Sequence, residues 1–328
     1  MRRFDVITEV KKNDIDHIVH VQKFNPYHDA KGRFASARGG GGAGVTSRDY
    51  KSEDIGDAIA DLNAGKMNSL AHYIGPDGKL TPEREELHKQ IIDKLLEGKT
   101  GVEGQATMTM LGGGPASGKS SVMNPDTSND PHSVTVDPDA IKVMLPGYNE
   151  MASKTELAAP FYHEESSALA KRFAEVAYSE NLNVIYDGTG DGSVGSVMKK
   201  VQAAKEKGYR VEAKYVSIDT EEAVRRNQAR YEDAIARGES PRLPPVQMVR
   251  KTHAKVTTIS VECAKEFDSI EIWDNNGARG QQKLMAKGGS GKGLVATDKQ
   301  AFDRYLAKSE LGKDAFITLP DGQVVIAG

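Results

Sequence analysis

Gly113-Gly114-Pro115-Ala116-Ser117-Gly118-Lys119-Ser120 has the residue types and spacing that grip the phosphates of a nucleotide. In the pattern G-x-x-x-x-G-K-[ST], the glycines let backbone N–H groups curl round an anion. The Lys reaches the β- and γ-phosphates, and the Ser hydroxyl ligates Mg²⁺. A glycine-rich turn is the bland alternative, and the flanks decide against it. Ala106–Leu111 is a short apolar and β-branched run, as a buried strand requires, and Ser120-Ser121-Val122 opens a helix whose N-terminal dipole faces the phosphates. ATP and Mg²⁺ are therefore the expected ligands, with residues 113–121 as their contact.

Other groups fit chemistry beside such a loop. Val134-Thr135-Val136-Asp137-Pro138-Asp139 ends a strand in two carboxylates, where an open parallel sheet receives its ligands. A carboxylate there can take the proton of an attacking hydroxyl, and Asp139 is the better candidate because Asp137 suits a turn before Pro138. Asp187 closes the apolar run Val184-Ile185-Tyr186, the usual place for an acid acting on Mg²⁺, and Thr189 follows it within reach of a substrate. Arg225, Arg226, Arg230, Arg237 and Arg242 cluster after a further strand. Their guanidiniums can neutralise a transferring phosphoryl group. Arg225 and Arg237 read as solvated surface. Glu165 shares a helical stripe with Leu169, Phe173 and Val176, so it either forms a structural ion pair, for instance with Arg172, or meets substrate. His253 and Cys263 lie on an apolar seam and read as packed groups.

Positions 106–277 alternate strand and helix patterns as a parallel α/β sheet does. The strands are expected at 107–111, 133–136, 183–186, 211–218 and 269–273, and the helices at 161–178, 194–207, 220–237 and 246–267. Ahead of them, Thr81 as N-cap, Pro82 at the first position and the line Leu87/Ile91/Leu95 predict a helix ending at Gly98. Residues 1–49 read as a flexible N-terminal segment ending in the glycine run 39–42. Residues 50–277 read as the catalytic domain, and 278–328 as a linker with a small C-terminal segment. Lys287–Gly293 looks like linker, followed by a short helix and a hairpin at Pro320-Asp321-Gly322.

The bulk composition excludes several classes. The 328 residues carry 44 basic and 47 acidic side chains, a net charge of −3, so long nucleic acid is not an expected partner. One cysteine excludes an internal disulfide framework and fits a reducing cytoplasm. No window approaches the ~18 apolar residues of a membrane span.

Five stretches together resemble the zeta-toxin kinases: Gly112–Ser120, Val136–Lys142, Asp187–Gly190, Ala229–Glu232 and Ser240–Arg242. The resemblance implies a P-loop kinase of a toxin–antitoxin system, with a central mostly parallel sheet flanked by helices, that phosphorylates the 3′-hydroxyl of UDP-N-acetylglucosamine. It further implies that Lys119 and Ser120 bind ATP and Mg²⁺, and that Asp139 activates the sugar hydroxyl. Thr189 would contact substrate, and Arg230 and Arg242 would stabilise the transferring phosphoryl group. An antitoxin protein is the implied partner. The pattern is not complete: Lys171 stands where the family has an acid, which Glu165 replaces only if the helix is shifted, and Asp187 stands where toxin members carry Glu. A kinase of another small molecule or of a nucleic-acid end remains open, as does a non-enzymatic phage assembly protein. Lys23–Ser36 resembles a segment of phage head-morphogenesis proteins, which points to a phage or prophage origin.

Overall fold

Thr107–Gly112 forms strand β1, and its apolar residues Met108, Met110 and Leu111 are buried. In the computed structural model of the chain, the described residues are 68–122, 126–154, 158–237, 243–278 and 280–326. The expectations for residues 1–49 and for Arg242 lie outside them. Two compact units divide the chain: Met1–Glu97, Asp137–Phe173 and Asp233–Arg242 make the first, and Gly98–Val136, Ala174–Glu232 and Leu243–Gly328 the second.

The second unit holds the whole sheet. With β1 it contains β2 (Ser133–Val136), β3 (Asn183–Tyr186), β4 (Arg210–Ser217) and β5 (Ser269–Asp274). These five pair in parallel in the order β2-β3-β1-β4-β5, with Met108 opposite both Val184 and Val211. Each strand lies within a residue of its sequence-based position, because each is an apolar or β-branched run bounded by turn residues. Four antiparallel strands extend the sheet: β6 (Lys283–Gly289), β7 (Lys292–Ala296), β8 (Phe316–Thr318) and β9 (Gln323–Ile326), in the order β5-β6-β7-β9-β8.

The reading of Lys287–Gly293 as linker is thus corrected, since it is the hairpin joining β6 to β7. Composition misleads there because a glycine is needed for contact rather than for flexibility. A Cβ on Gly293 would lie 2.5 Å from the Val324 carbonyl of the neighbouring strand. Met285, Ala286 and Leu294 of the same hairpin are buried.

Helices of the first unit are α1 (Ser69–His72), α2 (Pro82–Leu95), α4 (Pro138–Met144) and α5 (Tyr148–Lys154). Between α2 and α4 in chain order, the short α3 (Lys119–Val122) belongs to the second unit. The 22-residue α6 (Ala158–Ser179) begins in the first unit and ends in the second. Thr81 caps α2 by accepting from the Arg84 N–H, with Pro82 in the first turn, a cap worth about 1 kcal/mol. The inward face of α2 is Arg84, His88, Ile91 and Ile92, so Ile91 of the expected line is buried while Leu87 and Leu95 are only half-buried. Two polar residues face inward because Glu165 on α6 meets them there.

Helix α7 (Val194–Glu206) starts from a Ser193/Ser196 capping box, and α8 (Thr220–Ala236) and α9 (Val246–Glu262) follow. Val249, His253 and Val256 of α9 are buried, and Val249 packs with Ile218 and Ala223. The chain ends with α10 (Lys299–Leu306), capped by Asp298, and the β8–β9 hairpin. Among the described residues no helix is long and apolar enough to cross a membrane.

Candidate functional site

The loop from Gly113 to Gly118 is held in shape by groups far away in the sequence. His253 Nε2 lies 3.0 Å from the Pro115 carbonyl, and Asn275 Nδ2 donates to the Ser117 carbonyl at 2.8 Å. A carbonyl only accepts, so Nε2 of His253 carries the hydrogen. The peptide group is planar and trans. Fixing the Pro115 and Ser117 oxygens therefore also fixes the peptide N–H groups of Ala116 and Gly118, each turned away from its own carbonyl's partner.

Space around the loop is tight. A Cβ on Gly114 would meet the His253 ring at 2.5 Å, and one on Gly113 would sit 2.8 Å from the Val216 carbonyl. Ala116 adopts a left-handed φ of 59°, which costs a non-glycine residue on the order of 1–2 kcal/mol. Ser117 Oγ is buried with no hydrogen-bond partner among the described residues. These features fit a phosphate ligand: a strained, tightly packed loop and a buried hydroxyl without a partner among the described residues.

Burial holds the pKa of His253 down to about 4, the nearby Lys308 charge acting in the same direction against the Pro115 hydrogen bond. At neutral pH the ring is thus uncharged and keeps its donor on the loop. Sequence reasoning placed His253 as a packed group, and it is one, with the loop as its partner. Asn275 was missed. Its signal was the turn Asn275-Asn276-Gly277 at the carboxyl end of β5, where such sheets place ligand contacts. Its own carbonyl accepts from Arg226 Nη2 at 3.0 Å, which ties α8 to this turn.

Lys119 starts α3 and donates from Nζ to Asp187 Oδ1 at 2.9 Å and to the Gly188 carbonyl at 2.7 Å. The sequence motif and the acid at the end of β3 are therefore neighbours. Thr189 stands beside them: its carbonyl accepts from the Gly113 N–H at 2.8 Å, and its hydroxyl donates to Asp191. Ser120 is exposed next to Lys119 in the first turn of α3. Among the described residues no cluster of His, Cys, Asp and Glu forms a ready metal cage. The oxygen ligands Ser120 and Asp187 suit a Mg²⁺ shared with a nucleotide, an ion that is held by one or two protein oxygens plus phosphates.

Of the arginines, Arg225 is 73 % exposed and paired with Glu222, as expected of a solvated surface group. Arg226 also pairs with Glu222. Arg230 faces no acid among the described residues. The residue is exposed at the surface, yet its guanidinium is crowded enough that desolvation, and then the Arg226 charge, lower its pKa.

In the first unit, Asp137 caps α4 by accepting from the Asp139 N–H at 2.8 Å, which is the turn role weighed for it. Asp139 is 56 % exposed and its Oδ1 accepts from Lys142 Nζ at 2.7 Å, the lysine being 6 % exposed. Glu165 has no exposed surface. Its Oε1 accepts from Arg84 Nε at 2.6 Å, and its Oε2 from Arg84 Nη2 at 2.9 Å and Ser69 Oγ at 2.6 Å. His88 Nε2 adds a contact to Oε1 at 2.7 Å. Of the two roles the sequence left open for Glu165, this is the geometry of the structural one. The partner is not Arg172, which pairs with Glu85 and donates to His88 Nδ1 at 3.2 Å. Desolvation is the largest single influence and raises the Glu165 carboxyl, but the hydrogen bonds from His88, Arg84 and Ser69 and the Arg84 charge together bring it down to about 2.

The profile of the zeta toxin family matches residues 92–280, more than half of the chain. Solved structures with a similar fold include a chain of the AvrRxo1-ORF1:-ORF2 complex with ATP, at 21% identity and a TM-score of 0.53, covering 71% of this chain and 75% of that one. Another comes from the PezAT chromosomal toxin–antitoxin system of Streptococcus pneumoniae, at 18% identity and a TM-score of 0.54, covering 72% of this chain and 92% of that one. At these identities the likeness is one of fold. No curated protein matches the chain in sequence.

Proposed function

The chain belongs to the zeta toxin family, and from that premise we propose that it is an ATP-dependent kinase that phosphorylates the 3′-hydroxyl of UDP-N-acetylglucosamine. The observation that carries the kinase reading is the loop of residues 113–118, tied by its Pro115 and Ser117 carbonyls to His253 and Asn275, with Lys119 beside it. A loop of that kind binds the phosphates of a nucleotide.

In this reading the Lys119 ammonium exchanges its Asp187 contact for the β- and γ-phosphates of ATP. Ser120 and Asp187 would hold a Mg²⁺, which would supply charge neutralisation on those phosphates. Asp139 accepts the proton of the acceptor hydroxyl as its oxygen attacks the γ-phosphorus in line. Arg230, and Arg242 by family resemblance, stabilise the charge that spreads over the equatorial oxygens. Thr189 orients the acceptor. We read residues 50–277 as the kinase domain and residues 1–49 as a separate segment of phage-related origin. A toxin of this kind requires an antitoxin partner in its host's cytoplasm, and both structural neighbours come from two-component assemblies.

The deciding experiment is mass spectrometry of a reaction containing the full chain, ATP, Mg²⁺ and UDP-N-acetylglucosamine. The expected result is a gain of one phosphate on the sugar nucleotide. Transfer to a nucleoside or an oligonucleotide end instead would keep the kinase and remove this acceptor. No ATP consumption with any acceptor would remove the kinase.

A further inference from the structure

Lys142 is a lysine without a solvent-facing job. Its side chain is 6 % exposed, whereas most lysines keep their ammonium in water, and its bonded carboxylate is Asp139 Oδ1 at 2.7 Å. Asp139 occupies the second position of α4, fixed there by Pro138 and by the Asp137 cap on its own N–H. Lys142 stands three residues on, so the pair spans adjacent turns of a helix whose start is rigid. Buried Tyr148 lies close enough for the Asp139 charge to act on it, adding to the desolvation that pushes its hydroxyl up to about 12. Tyr148 is itself fixed edge-on against Tyr162, whose hydroxyl donates to the Pro146 carbonyl at 3.0 Å.

The two oxygens of Asp139 therefore differ. Oδ1 is engaged by a cation on the buried side. Oδ2 has no partner among the described residues, and the residue is more than half exposed. A carboxylate anchored through one oxygen presents the other in a fixed direction, which is what in-line proton acceptance demands. A buried ammonium is costly unless a carboxylate offsets it, so the pair holds together from both ends.

We propose that Lys142 is a positioning residue for phosphoryl transfer: it clamps Oδ1 of Asp139 so that Oδ2 meets the acceptor hydroxyl. The proposal rests on the reading of Asp139 as the base. The hydroxyl proton goes to Oδ2, the new O–P bond forms, and the bond to the ADP leaving oxygen breaks. Lys142 stays protonated throughout.

A double-mutant cycle in the full chain tests it, with ATP consumption followed both with UDP-N-acetylglucosamine and with water as the only acceptor. Lys142→Met should lower kcat by about 100-fold with the KM for ATP within about twofold, as expected of a misaimed group. Lys142→Arg, which keeps the charge, should restore most of the rate. Lys142→Gln is a second neutral variant, and thermal melts report whether each protein is folded. In an Asp139→Asn background, Lys142→Met should cost little more, because the group it aims is already gone. An equal cost in both backgrounds overturns the proposal, as does a rise in the KM for ATP at constant kcat. Full activity of Asp139→Asn, or no ATP consumption at all, removes the base reading and this proposal with it. Loss of activity in Asp139→Asn with none in Lys142→Met removes only the proposal.

Discussion

Glu165 and Asp139 are carboxylates of the same unit, and their surroundings are opposite. Glu165 is wholly buried, and both of its oxygens are taken by Arg84, His88 and Ser69. Asp139 is 56 % exposed, and only Oδ1 is held. A buried carboxylate persists only when its lone pairs are filled, and once they are filled it has nothing left to offer a substrate. An exposed carboxylate needs no such saturation, so an anchored one remains available for chemistry. The contrast separates an acid that holds helices together from an acid that can act.

The largest effect is expected at the lysine beside the glycine-rich loop. Lys119→Ala should abolish measurable phosphoryl transfer with the melting temperature nearly unchanged, because this lysine acts on ligand charge and not on the core. Turnover equal to that of the parent would discard the phosphate-loop assignment. Asp139→Asn should lower kcat by about 10²–10⁴-fold while leaving ATP affinity in place. Isothermal titration with ATP checks the second half, and a collapse of ATP binding would make Asp139 structural, like Glu165.

Glu165→Gln should do the reverse. Removing its charge takes the paired carboxylate away from the buried Arg84 guanidinium, a loss of about 3–5 kcal/mol in stability, with kcat per folded molecule unchanged. Denaturant unfolding beside active-site titration measures both. A drop in kcat without a drop in stability would break the comparison.

Acid should expose the same difference more gently. The Glu165 carboxyl, at about 2 in the fold against an ordinary 4.5, binds fewer protons than in the unfolded chain. Its stabilisation is present above pH 4.5 and is lost as pH falls toward 2. His253, at about 4 against 6.5, likewise binds fewer protons when folded, so its share is present above 6.5 and is lost between 6.5 and 4. Melting temperatures should therefore begin to fall below pH 6.5, and His253→Asn should remove that first decline. The smallest effect belongs to Arg225→Ala, expected within about 0.5 kcal/mol in stability and with unchanged kcat. A large loss there would mean that the surface of α8 works as part of the site.

Local signals were read well because local physics decides them. The five parallel strands and the Thr81 cap of α2 are written in runs of neighbouring residues, where side-chain type and spacing fix backbone choice. The short helices α4 and α5 were overlooked, although Asp137-Pro138 is a start signal for the first of them.

By itself, then, the sequence determined the elements, the glycine-rich loop with its lysine, and the set of acids and arginines from which a site can be built. Tertiary structure alone decided which of them have partners. Nothing in the sequence near Glu165 says that Arg84 and His88, some eighty residues earlier, fill its oxygens. Nor does anything near Pro115 and Ser117 point to His253 and Asn275, which come about 140 and 160 residues later. Glycines that read as flexible linker at 287–293 became a packed hairpin for the same reason. A residue's type sets which contacts it can make, and only the folded chain sets which of those contacts are within 3 Å.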